Sequence, residues 1–156
     1  MNREKEGCRM EIETARELLC FSSDGAYYAV DFLDIVEICI HIRLQFVPRQ
    51  PEHFCGVFYY KGMIVPVVRL GGRREEMPDG NATVLVVKGK PDLFGILLPG
   101  SPWMESVEEK HLAKDHSGAV IPERWAAKGI YWKHDRMICL LDIDRSKEML
   151  SADVRI

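Results

Sequence analysis

Residues 37–46 constrain this chain more than any other stretch. Ile38, Ile40, Ile42, Leu44 and Phe46 alternate with Cys39, His41, Arg43 and Gln45. A period of two puts alternate side chains on opposite faces of a strand, whereas a helix would scatter the same residues around its circumference. The pattern predicts one continuous strand over 37–46 with all five apolar side chains buried. Pro48 and Pro51 close it.

Around this strand the chain breaks into short apolar runs separated by turn signals. Leu18 to Phe21 and Tyr27 to Val30 flank Ser23-Asp24-Gly25, a hairpin pattern. Val57 to Tyr60 and Met63 to Val68 flank Lys61-Gly62, where the glycine supplies the positive φ such a turn needs. Pro66 has no N–H for a ladder, so its strand is expected at an edge or with a bulge. A third hairpin joins Val84–Val87 to Leu93–Leu98 through a turn at Gly89–Asp92. A fourth joins Ile130–Trp132 to Met137–Leu141 through His134-Asp135. The segment 71–82 reads as an exposed loop. Ser106-Val107-Glu108-Glu109 matches a capping box and predicts one short helix. Asp144 is expected to cap a second, Arg145 to Leu150. Repeated short strands point to small β-barrels rather than to βαβ units.

The 156 residues are enough for one domain, or for two small lobes on one core. Residues 1–16 read as a polar tail, 17–150 as the folded domain and 151–156 as a short C-terminal tail. Apolar residues make up 47% of the chain, so a real core is affordable and wholesale disorder is not expected. The net charge of −3 offers no basic field for a nucleic-acid backbone. The charged N-terminus lacks the apolar stretch of a secretory signal, and no apolar run approaches the roughly 20 residues that span a bilayer. A cytoplasmic protein without direct membrane insertion is expected.

There is no phosphate-cradling P-loop, no GxGxxG, no GxSxG elbow and no HExxH. The five cysteines, at 8, 20, 39, 55 and 139, have no CxxC spacing. Cys20, Cys39 and Cys139 sit in apolar runs and read as small buried hydrophobes. His53 and Cys55 would share a strand face, but no carboxylate nearby orients them, so they read as surface and core rather than as base and nucleophile. His111 and His116 are too few for a closed metal site. Asp142 and Asp144 suit a strand exit and a helix cap better than a cation. Trp103, Trp125 and Trp132 read as core or lobe-junction residues. Neither enzyme chemistry nor a cofactor is expected. Tyr59, Tyr60 and Lys61, at a hairpin tip, suit a contact patch.

Four segments in order resemble a CheW-like domain: LLCFSSDGAYYAVDFLDIVEI, PRQPEHFCGVFYYKGMIVPVVRL, TVLVVKGKPDLFGILL and GIYWKHDRMICLLDIDRSKEML. They cover about residues 17–150. The resemblance implies a mainly β fold of two small SH3-like β-barrel lobes sharing a core, with one or two short helices. It also implies a non-enzymatic adaptor of bacterial chemotaxis signalling, which couples chemoreceptor (methyl-accepting chemotaxis protein) cytoplasmic tips to a CheA-type histidine kinase. Glu37 matches the family's glutamate in the Val-x-Glu-Ile block, Gly62 its glycine and Pro66 its proline, while Lys61 stands where arginine is usual. Tyr59-Tyr60 replace a more usual Asn-Leu, and Arg69 and Pro99 stand where aspartate is common. The protein-binding residues expected on this basis are Glu37, Tyr59, Tyr60, Lys61 and Gly62. The competing expectation is a small-molecule-binding or sensory module on the same double barrel.

Overall fold

Three tight turns set the fold's local geometry. Asp24-Gly25, Lys61-Gly62 and His134-Asp135 each place both central residues at positive φ, between 46° and 81°. That backbone matches the right-handed twist of paired strands. The turns join β1 (Ala15–Ser23) to β2 (Ala26–Asp31), β4 (Phe54–Tyr60) to β5 (Met63–Val68), and β9 (Ala127–Lys133) to β10 (Arg136–Leu141). The remaining strands are β3 (Ile35–Ile42), β6 (Ala82–Val87), β7 (Phe94–Leu98) and β8 (Trp103–Glu108), and one helix, α1 (Ile143–Ser151), follows β10. The structure is a computed structural model and describes residues 15–71, 81–90, 92–115 and 118–152. Cys8, His116 and most of the expected 71–82 loop lie outside the described residues.

The strands form two five-stranded sheets, ordered β8-β1-β2-β10-β9 and β3-β6-β7-β5-β4. All four expected hairpins are present as antiparallel pairs. Each sheet holds one parallel pairing, β2 with β10 and β5 with β7. Each also curls until a segment beyond its edge strand meets the far edge. Gln45 bridges Val57 in one lobe and Ala113 bridges Ile130 in the other. A glycine precedes the bridged residue both times. At Gly56 (φ 145°) a Cβ would lie 2.6 Å from the Gln45 carbonyl oxygen; at Gly129 it would meet the Leu112 side chain at 2.8 Å.

Three apolar clusters follow from the pleat. Leu18 and Cys20 of β1 fill one lobe, with Ala29, Tyr131, Ile138 and Leu140. Val84 and Val86 of β6 fill the other, with Cys39, Phe58, Tyr60, Val65 and Val67. The alternate residues, Leu19 and Phe21 on β1 and Leu85 and Val87 on β6, point the opposite way into a third cluster that both sheets share. Strands buried on both faces read as continuous apolar runs, which is why Leu18–Phe21 and Val84–Val87 carry no alternation. Each such fully buried side chain is worth about 1.5–3 kcal/mol.

The alternating segment behaves differently from its pattern. β3 ends at Ile42, and its pairing with β6 carries a bulge between Cys39 and Ile42, with His41 at φ 56°. The extra residue shifts the phase. Cys39 points inward before the bulge; Ile42 and Leu44 pack inward after it. Ile38 and Ile40 consequently face outward, 40% and 62% exposed, and Phe46 is also exposed. A bulge is invisible to a period-two count, because it changes which residues face in without changing their identity.

Ser106–Glu109 is not a helix either. Ser106 lies in β8 opposite Glu17, and only Glu109–His111 forms a 3-10 turn. Pairing with β1 outweighs the local capping signal. The C-terminal helix begins earlier than expected, and its cap is Asp142, which accepts from the Arg145 amide at 3.1 Å; Asp144 sits in the first turn. Pro66 lies in an interior strand, but the β7 pairing covers only Val67 and Val68, so β4 alone runs beside it. Trp125 is in the shared core and Trp103 is half-buried against Tyr27, whereas Trp132 is 67% exposed.

Candidate functional site

The Lys61-Gly62 turn holds a small polar network at one end of the β3–β7 lobe. Tyr60 is buried among the apolar residues of the lobe, and its hydroxyl donates to Glu37 Oε1 at 3.2 Å. Lys61 Nζ lies 3.6 Å from the same oxygen and 5.2 Å from the Tyr60 ring centroid. On the other side, Cys39 Sγ donates to Glu37 Oε2 at 3.4 Å. Glu37 therefore ties two strands of the lobe together while remaining accessible. Burial, followed by the hydrogen bond to Glu37 and its charge, pushes the Cys39 thiol up to about 11. The contact with Tyr60, then Glu37, raises the Lys61 ammonium above its ordinary value. Tyr59 points the other way and is 76% exposed, opposite the exposed Ile64 across the hairpin.

The structure thus brings together Glu37, Tyr60, Lys61 and Gly62, and leaves Tyr59 beside them on the outer face. The arrangement offers one cation, one carboxylate and an aromatic–aliphatic pair at a rigid tip, which suits protein contact.

The His53–Cys55 pair does not assemble. His53 Nε2 lies 3.2 Å from the Leu150 carbonyl oxygen, and Cys55 is buried with its thiol toward the His53 carbonyl oxygen. Among the described residues no three His, Cys, Asp or Glu side chains gather as a metal site. No described helix is long and apolar enough to cross a membrane.

The two lobes frame a second feature. Between the sheets runs a groove of about 750 Å³, with Ile38 and Ile40 on one wall and Ser22, Ser23, Asn81, Thr83 and Arg69 among its polar lining. Arg69 is only 6% exposed, and its Nε and Nη2 have no hydrogen-bond partner among the described residues. Its place in the sequence, just past an apolar strand, gave no sign of this; only the packing of the two lobes buries it. The bulge that turns Ile38 and Ile40 outward leaves no sequence signature.

The model of the CheW-like domain family matches residues 17–148. Chemotaxis protein CheW of Rhizobium meliloti (strain 1021) is 26% identical over 133 residues, covering 83% of this chain and 85% of that protein. Chemotaxis protein CheW of Klebsiella aerogenes is 25% identical over 144 residues, covering 88% and 87%. Among solved structures, the scaffolding protein TtCheW from Thermoanaerobacter tengcongensis superposes with a TM-score of 0.72 over 84% of this chain and 86% of its own, at 19% identity. That likeness carries the fold: two curled sheets with one helix.

Proposed function

Because this chain belongs to the CheW-like domain family, we propose that it is a non-enzymatic chemotaxis adaptor which couples chemoreceptor cytoplasmic tips to a CheA-type histidine kinase in the cytoplasm. The observation that carries this reading is the extent of the family match, which spans both lobes and their shared core. The tip built by Glu37, Tyr59, Tyr60, Lys61 and Gly62 supports it as a protein-contact face, since its charges and exposed Tyr59 sit on a rigid hairpin. Relatives named for chemotaxis in two bacteria support the pathway.

The test is reconstitution. The purified chain is mixed with a chemoreceptor cytoplasmic fragment and a CheA-type kinase from the same cell, and complexes are followed by sedimentation alongside kinase autophosphorylation. A three-component complex that depends on this chain is expected. Receptor and kinase that ignore it at tens of micromolar would end the reading.

A further inference from the structure

β5 has a strand on both sides only at its far end. Its parallel pairing with β7 covers Val67 and Val68 and starts just past Pro66, which has no N–H to extend it. The other half, Met63 to Pro66, is flanked by β4 alone, and a groove of about 570 Å³ opens between it and α1. Phe54, Pro66, Val68, Phe94 and Leu150 make its lining mostly apolar. Both walls are fixed. Lys147 Nζ donates to the Asp92 carbonyl at 2.8 Å, and His53 Nε2 lies 3.2 Å from the Leu150 carbonyl oxygen, so α1 is tied to the β3–β7 lobe. A preformed groove costs little ordering entropy to fill.

Its chemistry narrows what the occupant is. No single sign of charge is selected, because among the described residues the lining carries one ammonium, Lys147, and one carboxylate, Asp92. An added strand is not favoured, because Pro66 interrupts the row of edge donors. A small molecule would be enclosed over most of its surface, whereas here the rim itself stands in solvent: Met63 is 46% and Ile64 63% exposed. The rim continues into Tyr59, opposite Ile64 on β4 and 76% exposed. One patch thus holds a hollow, apolar projections beside it and both signs of charge. A twofold contact between identical chains requires that combination, since the patch must fit itself.

We propose that this groove is a self-association site, at which two copies of the chain meet about a twofold axis. Met63 and Ile64 of each copy fill the groove of the other, and Asp92 of each faces Lys147 of the other. The contact covers Tyr59 as well, so a paired chain withholds that residue from any other partner. The pairing does not depend on the adaptor reading and stands or falls apart from it.

Sedimentation equilibrium of the purified chain from about 1 µM to about 500 µM should fit a closed monomer–dimer equilibrium. Ile64→Glu, which would bury a carboxylate in the apolar groove, should weaken the dimer about tenfold or more. Leu33→Glu, at a residue 81% exposed elsewhere, should leave it unchanged. In methyl NMR of the wild type the Met63 signal should move with concentration, while those of Met104 and Met149, exposed outside the groove, stay in place. A monomer over the whole range, growth beyond the dimer, or a dimer unchanged by folded Ile64→Glu overturns the inference. If Ile64→Glu does not fold, the methionine signals decide: a dimer that forms without moving Met63 overturns it. A monomeric wild type whose Tm rises with millimolar decanoate makes the groove a small-molecule site and overturns it too.

Discussion

Gln45 and Val57 exchange both of their backbone hydrogen bonds, at 2.8 and 2.9 Å, and this single pair closes the β3–β7 lobe. The residue that permits the approach is Gly56. Its φ of 145° is open to glycine alone, and a Cβ would lie 2.6 Å from a backbone oxygen that cannot move without breaking the pair. Gly56→Ala should therefore cost about 3 kcal/mol. Gly129→Ala, whose new methyl would first meet the flexible Leu112 side chain, should cost less. Urea denaturation of the two variants beside wild type checks the order.

At the hairpin tip, the Glu37–Lys61 ion pair is exposed on both sides. Solvent screens such a pair, so its contribution to the fold is small. Lys61→Glu should leave the Tm nearly unchanged and weaken receptor or kinase binding. Thermal melting beside a binding titration separates the two effects. A well-folded variant that binds at full strength removes this face from the partner surface; a collapsed Tm makes Lys61 structural.

The shifted phase of β3 makes its own prediction. Ile40→Asp places a carboxylate in solvent and should cost less than about 1 kcal/mol, whereas Val86→Asp buries one without a partner and should cost more than about 4 kcal/mol. Chemical denaturation curves for both, read against wild type, test which face of β3 looks outward. Equal, severe destabilisation by the two would restore the unbroken pattern.

Alkaline pH should destabilise the fold through its thiols. Burial holds Cys139 up to about 11, and burial with the Glu37 contact does the same for Cys39, against an ordinary value of 9.0. The folded state thus keeps these protons longer than the unfolded state. Their contribution is fully present below pH 9 and is lost as pH rises from 9 through 11. Tm measured across that window should fall, and Cys139→Val should flatten part of the decline. Parallel curves for wild type and variant would rule out Cys139 as a cause.

What could be read from the sequence was whatever local chemistry determines. The turns at Asp24-Gly25, Lys61-Gly62 and His134-Asp135 announced their hairpins, because positive φ is demanded by the turn itself. The Glu37–Lys61 ion pair joins two positions that the family pattern singles out. The errors share one cause. Ile38 and Ile40 face outward because a bulge of one extra residue resets the pleat, and Ser106 is in a strand because β1 runs beside it. The burial of Arg69 depends on how two sheets meet. Each is a matter of tertiary partners, which periodicity and capping signals do not encode.

The strand orders also set a timetable for folding. One lobe is made of β3 to β7, a continuous stretch of chain, and can close as soon as that stretch is available. The other lobe takes β1 and β2 from before it and β8 to β10 from after it, with β2 meeting β10 in parallel. Its first hairpin must therefore wait, with Leu18 and Cys20 uncovered, while more than half the chain is synthesised. Pairings so far apart in sequence form slowly. The lobe that begins the chain is the one that is finished last, and the interval before β10 arrives is when the nascent protein is most open to aggregation or to a holding chaperone.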